Sequence, residues 1–231
     1  YNTTDDYGEV KGSGNRTDSD SSDLKIALPL YNNLDDESGN NRDGTAVGTV
    51  AAVTDQSRFY GGSYYFPGTG NTSSYISIAD CDELDFQGAW TIEYWVKFKR
   101  APGTQDAPCA SATDYKRPSM FRLTSGEMGY FSSSNGSSWN QVIGDGAATG
   151  KGSHVLSGGI WYHIAFQYDG SSKFTAYVNG EKDLDYTTSA TGNAYSASEA
   201  YTLGRWGQVY GFQGWIQDFR IYGKVKYSSA F

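Results

Sequence analysis

Positive charge is scarce in this sequence. Its 18 lysines and arginines stand against 26 aspartates and glutamates, which gives a formal net charge of -8. Proteins that bind nucleic acid draw most of their affinity from clustered lysine and arginine side chains. We therefore expect no nucleic-acid partner.

Long apolar runs are absent as well. No stretch approaches the roughly 20 residues that a helix needs to span a bilayer, and the first residues do not have the pattern of a signal peptide. We therefore expect no membrane insertion. The sequence begins with Tyr1 rather than methionine, which indicates a processed product or part of a longer polypeptide.

Cysteine and histidine each occur only twice. Neither Cys81 and Cys109 nor His154 and His163 have the paired spacing of a zinc site. No GxSxG motif marks a serine nucleophile. The two cysteines either form a disulfide that pins the loop of residues 101–118 or remain unpaired thiols.

Glycine and aromatic residues, in contrast, are abundant. The 29 glycines and the 16% of aromatic residues favour strands and turns over helices. Within residues 160–180, side chains alternate in polarity up to Asp169-Gly170, a dipeptide typical of tight hairpin turns. The alternation resumes over residues 174–178 and stops at Asn179-Gly180. This period of two predicts adjacent antiparallel strands of a sandwich.

Several other segments predict strands, and none has a convincing helical period. The further strands are expected near residues 24–32, 75–78, 90–98, 120–123, 129–132, 201–205 and 215–222, with a short turn near residues 81–84. Residues 1–23 have almost no apolar side chains, so they cannot bury enough surface to offset their ordering entropy. We expect residues 1–23 to form an extended polar arm or linker, followed by one domain over residues 24–231.

Six segments in order along the domain resemble the LamG-like jelly-roll domain of the concanavalin A-like lectin/glucanase superfamily. They are LKIALPLYNNLDDESGN, RFYGGSYYFPGTGNTSSYISI, WTIEYWVKF, WYHIAFQYDGSSKFTAYVNG, YTLGRW and FQGWIQDFRIYGKVKYSSAF. The last is similar to the ends of such domains in tailed-phage fibre and virion proteins. The resemblance implies an all-β fold, a jelly-roll sandwich of two antiparallel sheets. The predicted strands agree, because each needs a second sheet to bury its apolar face.

Glucanases share this fold, so an enzyme has to be considered. Its hydrolases typically place their carboxylates on one strand as ExDxxE. The nearest match, ELDFQG at residues 83–88, has glycine at the third acidic position, and Glu93 has no carboxylate two positions away. We expect no catalysis.

The resemblance also implies a structural calcium ion, held near the chain ends by an aspartate of the last strand. Asp218 matches that aspartate, and backbone carbonyls of residues 61–62 or of residues 35–39 could supply the other oxygen ligands. By simple alternation, Asp218 should share a face with Ile216 and Arg220. The alternative is that Asp218 only pairs with Arg220 or caps a turn.

Aromatic residues in loops are the candidates for sugar binding. Trp139 lies in NGSSWNQ, and Trp206 and Tyr210 lie in GRWGQVYG. Exposed rings with amides and carboxylates nearby suit stacking on a pyranose. The alternative is that these rings cover the sandwich edge or contact another subunit. The remaining tryptophans are predicted to pack in the core or on a sheet face: Trp90, Trp95, Trp161 and Trp215.

These observations predict a non-catalytic structural or appendage domain on the virion surface of a tailed phage. It would bind host-surface glycans or stabilise its assembly through other subunits of the same particle. The alternative is a secreted or cell-surface carbohydrate-binding or adhesion module of a bacterium or eukaryote.

Overall fold

The computed structural model describes residues 18–59, 61–68, 73–144 and 149–231. These residues contain seventeen strands and two short 3-10 turns, Ser21–Asp23 and Asp82–Leu84. The strands are β1 (Leu24–Leu28), β2 (Gly44–Val47), β3 (Ala51–Val53), β4 (Ser63–Pro67), β5 (Tyr75–Ile78), β6 (Ala89–Phe98), β7 (Asp106–Ser111), β8 (Ser119–Arg122), β9 (Glu127–Phe131), β10 (Lys151–Val155), β11 (Trp161–Asp169), β12 (Lys173–Val178), β13 (Glu181–Thr187), β14 (Tyr201–Leu203), β15 (Arg205–Trp206), β16 (Tyr210–Gly211) and β17 (Gln213–Tyr222). Among the described residues, no helix has the length and apolar character needed to cross a membrane.

Two large antiparallel sheets form the sandwich. The eight-stranded sheet has the order β13-β12-β11-β6-β17-β4-β3, with β1 also paired to β17. The seven-stranded sheet has the order β10-β9-β8-β7-β14-β5-β2, and β15 and β16 form a small separate hairpin. The predicted all-β, two-sheet antiparallel sandwich is confirmed, and so is the predicted hairpin of β11 and β12.

Seven strands lie where the sequence predicted none: β2, β3, β4, β7, β10, β13 and β16. β7 occupies residues 106–111, within the segment of residues 101–118 that was expected to be a loop, and all six of its residues are buried between β8 and β14. Its sequence, DAPCAS, has small and polar side chains with no clear alternation, so only its pairing partners make it a strand. β13, EKDLDYT, is an edge strand, where charged side chains are common because they prevent pairing with another chain.

The core lies between the two sheets and is rich in aromatic rings. Tyr130 of the seven-stranded sheet packs against Phe166 of the eight-stranded sheet, with ring centroids 5.0 Å apart. Tyr94 Oη donates across the same interface to Met120 Sδ at 3.8 Å. Trp90 is fully buried in this core, as predicted.

The last strand changes partner halfway along. β17 pairs with β4 up to Ile216 and with β1 from Phe219 onward. Its register with β6 shifts between Gln217 and Arg220, and Asp218 has a φ of 58°. This β-bulge inserts an extra residue and inverts the alternation. Ile216 therefore faces the core with Phe219, and the expectation that it shares a face with Asp218 and Arg220 is wrong.

The two cysteines are unpaired thiols. Cys109 is buried in β7, with its Sγ 2.9 Å from Tyr201 Oη, and Cys81 is half-buried before the second 3-10 turn. Burial raises the pKa of Cys81 to about 11 and raises that of Cys109 as well. The disulfide alternative is wrong, because Cys109 points into the sandwich rather than toward the loop surface.

The residues just before β1 pack against the end of β17. Asp18 Oδ2 accepts a hydrogen bond from Tyr222 Oη at 2.8 Å, and Asp20 pairs with Lys224 at 2.7 Å. Residues 1–17 lie outside the described residues. The predicted arm of residues 1–23 therefore stays a prediction, although its last six residues contact the domain.

Candidate functional site

The outer face of the seven-stranded sheet carries a cluster of aromatic side chains, called here the aromatic cluster. Its buried members include Phe121 and Phe131, and three half-buried rings pack against them: Trp139, Trp206 and Tyr210. All three rings that the sequence singled out for sugar binding thus lie on one patch, although Trp139 is far from the other two in the chain.

Strand alternation places the floor of the cluster. On β8, Met120 points into the core and Phe121 points outward; on β9, Tyr130 points inward and Phe131 outward. The two outward rings meet edge to face, with centroids 5.0 Å apart and an interplanar angle of 82°. Phe121 and Phe131 were not among the residues predicted from the sequence, although a period of two from Met120 places Phe121 on the outer face.

The small hairpin of β15 and β16 builds one side of the cluster. Trp206 and Tyr210 are direct partners in this hairpin, and their rings stack at 5.2 Å with an angle of 9°. Trp206 also packs on Phe121 with centroids 4.5 Å apart. Trp206 and Tyr210 are therefore held in place by each other and by Phe121, while part of each side chain remains exposed.

The loop after β9 builds the other side. Trp139 packs on Phe131 at 5.4 Å and meets Tyr115 edge to face at 5.2 Å. Asn135 Oδ1 accepts hydrogen bonds from two backbone N–H groups of the same loop, at 2.9 and 3.0 Å. This turn fixes the loop that carries Trp139.

A carboxylate stands at the rim next to these rings. Asp114 lies beside Trp206, with much of its side chain exposed. The part of it that is buried raises the pKa of the carboxyl, and the Trp206 side chain offsets some of that rise. The Arg205 guanidinium, next to Trp206 in the chain, lies over the Tyr75 ring at 3.6 Å, outside the cluster. Flat ring faces bordered by the Asp114 carboxylate offer both stacking and hydrogen bonds to a polar ligand.

Comparison with known proteins places the chain in a family. A family model described as the concanavalin A-like lectin/glucanases superfamily matches residues 69–229, more than half of the chain. The chain belongs to this superfamily. No curated protein sequence matches the chain.

Solved structures show the same lectin-like fold. Domain 4 of an extracellular arabinanase from Geobacillus stearothermophilus, in complex with arabinotriose, is 22% identical, with a TM-score of 0.63 over 86% of this chain and 91% of that one. The binding domain of Paraclostridial Mosquitocidal Protein 1 is 16% identical, with a TM-score of 0.69 over 90% of this chain and 50% of that one. The binding domain of botulinum neurotoxin DC in complex with SialylT is 14% identical, with a TM-score of 0.65 over the same shares. The lectin-like chain thus spans about half the length of these toxin domains.

The carboxylates weighed for catalysis are engaged elsewhere in this lectin-like domain. Glu83 pairs with Arg42 at 2.8 Å. Glu93 is buried on the outer face of the eight-stranded sheet, where it accepts from Lys226 Nζ at 2.7 Å and Tyr227 Oη at 2.5 Å. Burial alone would raise the pKa of Glu93, but the neighbouring cations, Lys226 first, outweigh it and hold that pKa well below its usual range. Both carboxylates therefore have structural partners.

Asp218 is placed as in the ion-pair alternative. Its two carboxylate oxygens accept from Arg220 Nε at 2.7 Å and Nη2 at 3.1 Å, and both side chains are buried. Such a bidentate pair is strong and directional. No group of three or more histidine, cysteine, aspartate or glutamate side chains suited to a metal ion occurs within the described ranges.

Gln217, rather than Asp218, reaches one of the backbone carbonyls considered as calcium ligands, that of Gly62. Its fully buried side chain donates from Nε2 to Phe59 O at 2.5 Å and Gly62 O at 2.6 Å. Its Oε1 accepts from the backbone N–H groups of Arg58 and Phe59, both at 2.9 Å. The residues present fit a calcium ion poorly, because N–H donors face these carbonyls and a guanidinium faces Asp218. Calcium at Asp218, predicted from the sequence, is untested, and these contacts argue against it.

Proposed function

We propose that this lectin-like domain is a non-catalytic carbohydrate-binding module whose binding site is the aromatic cluster. One observation carries the proposal: the Trp206–Tyr210 stack and Trp139 flank the Phe121–Phe131 floor and are held by packing against it. A pyranose presents an apolar C–H face that suits aromatic stacking. Rings ordered in advance lose little conformational entropy on binding, so more of the contact energy appears as affinity.

The rim adds the polar half of such a site. Asp114, exposed beside Trp206, can accept hydrogen bonds from sugar hydroxyl groups. A binding site built mainly of aromatic faces with a few convergent polar groups is the usual composition of small-molecule sites. The arrangement contains the groups for binding, whereas the carboxylates considered for hydrolysis lie elsewhere.

The neighbours in fold support the same kind of ligand. The arabinanase domain was solved with arabinotriose and the neurotoxin DC binding domain with SialylT. These sugars are named for those proteins, at identities that speak only for the fold. They support a glycan as the ligand class and assign no particular sugar to this chain.

We propose further that the module acts outside the cell. The predicted setting, the surface of a tailed-phage virion with other subunits as partners, is supported by the closing sequence run. The alternative, a secreted or cell-surface module, is favoured by the extracellular origin of the arabinanase neighbour. Mass spectrometry of the purified native particle or secreted fraction that contains this chain separates the two settings.

A glycan array followed by calorimetry tests the binding site. We expect Trp206→Ala and Trp139→Ala each to weaken binding of the best array ligand by roughly 10- to 100-fold, the usual loss for a central aromatic contact. Trp215→Ala is the matched control, because Trp215 is a half-buried tryptophan on the other sheet, packed against Tyr65. Circular dichroism checks that each variant folds. Absence of any array ligand, or equal binding by all three variants, would contradict the proposal.

A further inference from the structure

A cavity lies on the side of the sandwich opposite the aromatic cluster, on the outer face of the eight-stranded sheet. Its volume is about 540 Å³, within the range of small-molecule sites. It is lined by Arg58, Trp95, Trp161, His163, Asn179 and Phe231. We propose that this cavity is a separate ligand site for an acidic monosaccharide, a pyranose that carries a carboxylate.

The floor of the cavity consists of outward-facing rings on two neighbouring strands. Trp95 of β6 and His163 of β11 are direct cross-strand partners, with ring centroids 5.3 Å apart. Trp161 begins β11 on the same face and is half-buried. The sequence predicted core or sheet-face packing for both tryptophans. The structure puts them on the sheet face, where the Trp161 ring offers a surface on which a sugar ring can stack.

The far wall is formed by Phe231. Phe231 stacks on Tyr227 at 3.7 Å with an angle of 10°, and its backbone N–H donates to Gly180 O at 3.1 Å. Gln167 holds the backbone of Tyr227 from both sides, donating to its carbonyl at 2.6 Å and accepting from its N–H at 3.2 Å. The cavity therefore has fixed walls.

The charge at the rim decides the ligand class. The exposed Arg58 guanidinium lies over the Trp95 ring at 4.8 Å, and its backbone N–H is held by Gln217. Arginine binds carboxylates with two parallel hydrogen bonds. Glu93, whose carboxylate lies 3.6 Å from His163 Nε2 of the floor, is paired with Lys226 at 2.7 Å, which offsets its negative charge. A pyranose that stacks on the Trp161 ring and places its carboxylate against the Arg58 guanidinium uses both of these groups.

This inference does not rest on the proposed function, because the two sites lie on opposite sheets. The probes are glucuronate and N-acetylneuraminate, with glucose as the uncharged control, titrated while the indole N–H signals are followed by NMR. We expect at least one acid to shift the Trp95 and Trp161 signals in a saturable way and glucose to bind at least tenfold more weakly. Arg58→Gln should weaken binding of the acid at least tenfold.

The controls keep the two sites apart. Arg58 is exposed in a loop, so Arg58→Gln should fold, and Arg205→Gln changes an arginine next to Trp206 in the chain and should leave this titration unchanged. The proposal is overturned if neither acid produces saturable shifts at these two indoles, if glucose matches the acid, or if Arg58→Gln binds like the wild type. None of these results bears on the Trp206 and Trp139 variants of the first site.

Discussion

Removing the Gln217 side-chain amide should destabilise the domain strongly. Its four hydrogen bonds satisfy backbone groups of Arg58, Phe59 and Gly62 and tie these residues to the last strand. Each such bond contributes about 1 kcal/mol net, and a buried group left unpaired costs at least as much. Gln217→Leu should therefore lower the free energy of unfolding by about 4 kcal/mol, a large share of the 5–15 kcal/mol typical of domains. Gln213→Leu, on the same strand but half-buried, is the control and should change it by less than about 0.5 kcal/mol.

A second variant at position 217 tests whether the stability of the wild-type domain depends on a bound cation. Gln217→Glu keeps the shape but turns a carboxylate oxygen toward the carbonyls of Phe59 and Gly62, which repel it. Calcium should rescue this variant, because carboxylate and carbonyl oxygens are its preferred ligands. The rescue should reach ~2.7 kcal/mol when calcium is a hundredfold above its dissociation constant. The wild type should respond to neither calcium nor chelator.

Urea unfolding followed by tryptophan fluorescence, with calcium or with chelator, measures the wild type and each of these variants. A Gln217→Leu variant within about 1 kcal/mol of the wild type would refute the idea that this amide ties Phe59 and Gly62 to β17. A chelator that destabilises the wild type, with the response lost in Asp218→Ala, would instead establish the calcium ion predicted from the sequence.

Two further predictions concern charged groups. Asp218→Ala leaves the buried guanidinium of Arg220 without its bidentate partner and should lower the free energy of unfolding by about 3–5 kcal/mol in the same urea assay. Lys182→Ala, at an exposed ion pair, is the control and should cause no measurable change. Equal effects of the two variants would contradict the argument. Burial lowers the pKa of His154. Hydrogen bonds to the carboxylates of Asp183 and Glu181 outweigh burial, so the pKa of His154 is raised above 6.5. The stabilisation from His154 is therefore complete below pH 6.5 and is lost as pH rises through the raised pKa. In a His154→Gln variant, the free energy of unfolding measured across this range should lose that part of its pH dependence. An unchanged pH profile would refute the argument.

Local patterns were enough to predict the fold class. The alternation along β6, β11 and β12 and the Asp169-Gly170 turn depend only on backbone geometry, in which side chains alternate across a strand and glycine permits the tight turn. The same local reasoning singled out Trp139, Trp206 and Tyr210, since aromatic rings in polar loops are unusual wherever the loops lie.

Contacts between distant segments decided the rest. β7 is a strand because β8 and β14 pair with it, and the bulge at Asp218 arises where β17 passes from β4 to β1. That bulge turns Gln217, not Asp218, toward the carbonyls of Phe59 and Gly62. Trp139 meets the cluster because β9 lies beside β8, while Trp206 reaches the same floor from a hairpin much later in the chain. Such meetings depend on strand order and register, which no local period encodes, because pairing partners are chosen by the packing of the whole sandwich.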